Sequence, residues 1–394
     1  MQRGSISKLA FPTPFKSPTL LLGLRLLLFF LGLSVARAGW CATYPLPTDG
    51  SNIVGQLRVV IADSRNTLLD IARYYELGHE EIINANPDVS AWLPGEGTRI
   101  VVPTLFILPP KPWQGLVVNI PQRRLYYFPQ PKAGVPATVV TYPIGIARPG
   151  WPTPLGQTTI TSKYKNPSWT VPESVLAEHR NEDDPDFPDY VPPGPDNPLG
   201  TVAFRTGFKE ILLHGTNRPW GVGMRISHGC IRLYPENAEA LFRQVPVGTP
   251  LRFINQPVSV GQKDGMLYLD VATPIEDYQD DRGSLFQQAV NALAPYSGLP
   301  NAPKWDIKRV ELAAEFAQFL PVPVNLGAPD LRQTLAAIRA ERYDYEPYDV
   351  DANTSAAPAP PRPSNTCDRI EEDEEEDDDA PQLRIEAATP LVNQ

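Results

Sequence analysis

With 46 prolines spread over 394 residues, this chain has little scope for long helices. Proline fixes φ and removes a backbone donor, so helices tolerate it in their first turn and sheets at their edges. A chain of this kind folds into short strands and loops with few helices. Its length exceeds what one ordinary core accommodates, so two or three modules are expected. The formal charge of −10 argues against a general nucleic-acid binder, whose footprint is basic, and much of it falls in the acidic run 371–379.

The first residues have the make-up of an export signal. Arg3, Lys8 and Lys16 precede a leucine-rich run at 20–33, and Ala36-Arg37-Ala38 has the A-x-A form of a cleavage site. The run is short for a spanning helix, which needs about 20 apolar residues. Residues 1–38 are therefore expected to be a signal peptide, with an uncleaved membrane anchor as the competing reading. Trp40, before Cys41, disfavours a lipoprotein, where a small residue would stand. Either way the remainder is exported, with the membrane involved only through that signal. The three cysteines are Cys41, Cys230 and Cys367, an odd number, so at least one thiol is free or paired between molecules. Nothing in the sequence requires Cys41 and Cys367 to pair.

Residues 55–104 predict a small βααβ unit. An apolar strand at 57–61 leads to Thr67-Leu68-Leu69-Asp70, a capping box with Asp in place of Glu. A second helix, 80–85, stops before Pro87, because proline disfavours helix in the residue before it. Leu93-Pro94-Gly95 then turns into a strand at 98–102. This order, with Asn84-Ala85-Asn86-Pro87, resembles a LysM module, which binds glycan containing N-acetylglucosamine. It departs from that pattern at Arg65-Asn66, where LysM modules carry Gly-Asp, so a spacer with the same fold is the second reading.

Residues 113–255 predict a mainly β domain. A hairpin is expected across Pro121-Gln122, with further strands at 137–144, 157–162, 202–205, 210–213 and 249–254. One helix interrupts them, starting at Pro235, and the Pro- and Asp-rich stretch 165–200 is expected as a loop near the active cleft. Residues 256–344 predict an α/β C-terminal subdomain, with a strand at 265–271 and helices at 285–293 and 310–319. The tail 345–394, poor in apolar residues and acidic, is expected to be disordered.

Chemistry concentrates in one window, from His214-Gly215-Thr216 to Ser227-His228-Gly229-Cys230-Ile231-Arg232. It holds two of the four histidines and the only cysteine of the β domain. A free thiol is mostly protonated at neutral pH, and a neighbouring imidazole either lowers its pKa or takes its proton. His214 ends a strand and Cys230 begins the next ordered segment, so adjacency of the two would bring imidazole to thiol. Gly229 permits close backbone approach, and amides at Gly229 and Cys230 are candidates for an oxyanion site. Arg232 reads as a fork for a substrate carboxylate or as a surface ion-pair residue. A lone cysteine is often only a small buried hydrophobe, and histidines are often structural. Structural zinc, which usually has four Cys/His ligands in pairs, fits poorly with one local cysteine.

The window, together with Gly145 to Gly156 and its Pro152-Thr153-Pro154-Leu155-Gly156 turn, resembles the L,D-transpeptidases with a YkuD-type catalytic domain, a β-sandwich with one short helix. The module before it and the extension after it resemble the ErfK/YbiS subgroup, which attaches an outer-membrane lipoprotein to peptidoglycan. The resemblance implies a donor tetrapeptide stem cleaved between the L-centre of meso-diaminopimelate and D-alanine. Cys230 would form a thioester and His214 would accept and return the proton, oriented by the Gly215 carbonyl. His228 and Ser227 would shape the thiol environment, while Arg232, Gly229 and Thr216 would contact substrate. Many members carry Asn where Arg232 stands. No metal or organic cofactor is implied. The acceptor stays open between a second diaminopimelate amine, a lipoprotein lysine and water, so a hydrolase is one alternative and a non-catalytic wall-binding protein the other. Periplasmic residence follows from the same reading.

Overall fold

The computed structural model describes residues 43–181, 187–278, 281–297 and 303–342. The expected signal segment, Cys41, Cys367 and the acidic tail lie outside the described residues.

Nine strands join in one mixed sheet. Their spatial order is Thr43–Pro45, Thr138–Pro143, Arg124–Phe128, Gly115–Asn119, Pro250–Ile254, Gly156–Lys165, Val202–Thr206, Leu212–His214, Ile231–Arg232. The expected hairpin forms, pairing Asn119 with Arg124. Successive side chains of a strand point to opposite faces. Leu116, Val118, Leu125 and Tyr127 accordingly enter one core, shared with Ile160, Phe204, Leu213 and Ile231 from the other end of the sheet. Ala238 and Leu241 of the helix Pro235–Gln244 close that core.

Two expectations are corrected here. The sandwich is one continuous curled sheet, because the ten-residue strand Gly156–Lys165 pairs with Pro250–Ile254 through its first half and with Val202–Thr206 through its second. A register shift between Ile160 and Ser162 marks the changeover, and such bulges bend a strand and increase its twist. The stretch 165–200 is not simply a loop. It carries a helix, Glu173–Asn181, and a strand pair, Trp169–Thr170 with Tyr190–Val191. Val175 of that helix is buried, and the helix-forming run around Leu176 and Ala177 is hidden in sequence by the Pro and Asp on either side.

The opposite face of the sheet's first half is also covered. Val117, Tyr126, Phe128 and Val139 pack against Val60, Leu68, Ile71, Ile82 and Ile100. These belong to a βααβ unit of antiparallel strands Arg58–Ile61 and Arg99–Val102 with helices Leu68–Tyr74 and His79–Asn84. The Thr67–Asp70 capping box is formed. Polar locks tie this unit to the sheet. The buried Arg124 guanidinium donates to Glu81 at 2.8 and 2.7 Å and to the Glu76 carbonyl at 2.9 Å. Arg73 makes two bonds of 2.8 Å to Glu236, and the Tyr234 hydroxyl donates to the Leu77 carbonyl at 3.0 Å. Gly223, at φ +91°, lies so close that a Cβ there would stand 2.2 Å from the His79 nitrogen.

Removing one partner of a buried ion pair leaves an uncompensated charge. Glu81→Ala is therefore expected to destabilise the fold by about 3–5 kcal/mol, read as a lower denaturation midpoint. An unchanged midpoint would mean that water reaches Arg124.

The C-terminal segment forms a hairpin, Val258–Lys263 with Met266–Val271, joined by Val322–Pro323. The helices Leu285–Leu293 and Ile307–Phe316 pack on it around Leu267, Leu269, Leu293 and Val310.

Candidate active site

Leu212–His214 and Ile231–Arg232 run parallel, with Leu213 opposite Ile231 and His214 opposite Arg232. The fifteen-residue excursion between His214 and Cys230 therefore returns to the same ladder. Side-chain alternation then puts His214, Cys230 and Arg232 on one face. On the far side of Arg232, its backbone exchanges hydrogen bonds of 2.9 and 2.8 Å with Gly145.

His214 is 3% exposed, and its Nδ1–H donates to the Gly215 carbonyl at 2.6 Å. That bond selects the tautomer whose Nε2 is a free acceptor. Burial, reinforced by the Arg232 charge and opposed by the Gly215 carbonyl, pulls His214 down to about 3. The half-buried Cys230 donates its S–H to the Glu210 carbonyl at 3.4 Å. The strand expected from 210 begins at Leu212, because Glu210 adopts φ +65°. Burial pushes the Cys230 thiol up, with the Leu212 backbone and the Arg232 charge opposing. Both shifts favour the neutral forms, so the resting pair is thiol and imidazole rather than thiolate and imidazolium.

Two hydroxyls hold the turn that carries the thiol. Ser227 Oγ donates to the Cys230 carbonyl at 2.6 Å, and Thr153 Oγ1 donates to the Gly229 carbonyl at 2.8 Å. Gly229 sits at φ +109°, and a Cβ there would stand 3.2 Å from Ile211 Cδ1. Few side chains tolerate that conformation. Thr216 is buried, and its hydroxyl accepts from the Arg218 amide at 3.0 Å, a turn-forming contact.

His228 turns its Nε2–H to Glu178 Oε2 at 2.9 Å and meets the edge of Trp151 at a centroid distance of 4.9 Å. Arg148 also binds Glu178, and these two bonds hold the Glu178 carboxyl down at about 2. Burial lowers His228, with Glu178 opposing. Arg232 is held below its usual range by burial and by the Arg218 charge. Its Nε is a buried donor with no hydrogen-bond partner among the described residues. Buried donors are normally satisfied, so this atom is available to an incoming acceptor.

Sequence reasoning assigned no role to Thr153, Glu178 or Tyr278. Thr153 stood inside the recognised Pro-Thr-Pro turn, a signal that was available. Glu178 and Tyr278 reach the site across the fold and have no local signature.

Residues 114–262 match the YkuD family, described as an L,D-transpeptidase catalytic domain. The chain is 41% identical over 249 residues to the probable L,D-transpeptidase YbiS of Escherichia coli, covering 61% of this chain and 79% of that protein. It is 34% identical over 307 residues to the probable L,D-transpeptidase ErfK/SrfK of the same species, covering 76% of this chain and 96% of that protein. The probable L,D-transpeptidase YcfS, also of Escherichia coli, is 33% identical over 303 residues, covering 75% of this chain and 92% of that protein. This chain belongs to the L,D-transpeptidase family with a YkuD-type catalytic domain.

Proposed function

We propose that this protein is an exported, periplasmic peptidoglycan L,D-transpeptidase in which Cys230 is the nucleophile and His214 the general base. The observation that carries the reading is the Nδ1-anchored His214 on the same sheet face as the Cys230 thiol, with burial favouring the neutral form of each. His214 Nε2 takes the thiol proton as Sγ attacks the carbonyl at the L-centre of diaminopimelate. The oxyanion forms beside the Cys230 amide. Its collapse breaks the bond to D-alanine, whose amine leaves with the proton from His214. A thioester remains. An acceptor amine then attacks it, gives a proton to Nε2 and restores the thiol. The neutral resting pair makes proton transfer part of the attack, which is the role of a general base.

Arg232 Nε supplies the missing half of a charge-assisted bond to a stem-peptide carboxylate. His228 and Ser227 act on the shape of the nucleophile turn. The βααβ unit is a LysM-like module that presents glycan to the sheet. No cofactor enters the cycle. The partners are stem peptides as donor and, as acceptor, a second diaminopimelate amine or a lipoprotein lysine.

Incubation with disaccharide-tetrapeptide, followed by mass spectrometry, tests this. An adduct on Cys230 with loss of D-alanine is expected. Crosslinked dimers identify a diaminopimelate acceptor. Diversion of the acyl group to an added lysine-terminated peptide identifies a protein acceptor, and tripeptide alone identifies water. Absence of both adduct and D-alanine overturns the proposal in favour of a wall-binding protein.

A further inference from the structure

The site is held from a direction that the family resemblance leaves unassigned, the segment 275–278 just beyond the C-terminal hairpin. Ile275 is anchored in the catalytic core. Asp277 accepts from the Gly150 amide at 2.7 Å and pairs with Arg225, which also binds Glu276 at 2.6 Å. The Tyr278 hydroxyl donates to the Thr153 carbonyl at 2.7 Å. Thr153 is fully buried, and its own hydroxyl donates to the Gly229 carbonyl at 2.8 Å. A strap from the extension is thus fastened at two points to the 145–156 turn, and that turn is fastened to the peptide bond preceding Cys230.

We infer that Tyr278 and Thr153 are positioning residues that set the orientation of the Gly229–Cys230 peptide. The peptide is planar and trans, so its carbonyl and its N–H point in opposite directions. Fixing the Gly229 carbonyl on the Thr153 hydroxyl fixes the direction of the Cys230 amide, the donor nearest the oxyanion that the thiol's attack creates. Gly229, in the left-handed region, does not by itself hold the peptide against rotation. Among the described residues the fully buried hydroxyl has this one acceptor, and Tyr278 keeps the Thr153 backbone in place to reach it. The inference rests on Cys230 being the nucleophile, as proposed above.

Two reactions of the same thiol separate positioning from general damage. Acylation by a carbapenem passes through an oxyanion, and alkylation by iodoacetamide does not. Thr153→Val is expected to slow Cys230 acylation about tenfold while leaving alkylation within about twofold of wild type, since a correctly aimed oxyanion donor is worth about 100-fold or more. Thr153→Ser, which keeps the hydroxyl, restores acylation. Tyr278→Phe, one step further away, slows acylation about threefold, within the range of one lost neutral hydrogen bond. In steady-state turnover the loss falls on kcat, with KM little changed. Equal slowing of acylation and alkylation, failure of the serine variant to restore the rate, or a wild-type rate in Thr153→Val each overturns the inference. If the wild-type protein is not acylated at all, the nucleophile assignment fails instead.

Discussion

Replacing Cys230 with alanine is expected to abolish D-alanine release, with a loss of about 10⁴-fold or more, as for other enzymes stripped of their nucleophile. The substitution removes one sulfur atom from a half-buried position, so the fold is retained. A matched denaturation curve beside the activity assay separates loss of chemistry from loss of structure. Mass spectrometry of the variant after exposure to tetrapeptide should show no adduct. Activity within tenfold of wild type would remove Cys230 from the mechanism.

His214→Gln is the second large effect, with kcat falling about 10²- to 10⁴-fold, the usual contribution of a general base. The pH dependence adds a sharper test. An ordinary imidazole titrates near 6.5, whereas burial holds native His214 at about 3. Its base form therefore persists as pH falls through 6, and the acid limb of kcat/KM is expected well below the usual histidine range. Stability moves the other way. Between 6.5 and about 3 the unfolded chain binds a proton that the native state refuses, so the His214 contribution to stability is lost as pH falls through that window. The glutamine variant loses this slope. An acid limb near 6.5, with fast thiol alkylation below pH 7, would mean a resting thiolate–imidazolium pair instead.

The features that were legible in sequence are those whose partners lie close along the chain. The capping box of Thr67 and Asp70, the hairpin over Pro121-Gln122 and the helix opening at Pro235 each follow from a few adjacent residues. Adjacency of the segments that carry His214 and Cys230 could be raised from sequence because strand, short excursion and strand fall within 21 residues. Long-range polar contacts were not. Thr153 meets Gly229 across 76 positions, and Tyr278 meets Thr153 across 125. Neither residue type announces such a partner. Arg124 misleads for a different reason. In a strand an arginine normally marks the wet face, but here that face is covered and its charge is answered by Glu81. Glu178 was hidden because a nine-residue helix lies among prolines and aspartates that signal irregular chain.

The seam between the βααβ unit and the sheet limits how portable this enzyme is. A fragment cut at residue 113 would begin with a bare apolar wall of Val117, Tyr126, Phe128 and Val139, and with Arg124 stranded on it. Such a fragment invites aggregation, so the two parts are expected to fold and unfold together. The βααβ unit is then no tether on a swinging arm. It is a fixed wall of the enzyme, and its distance from the thiol is built into the protein as a ruler.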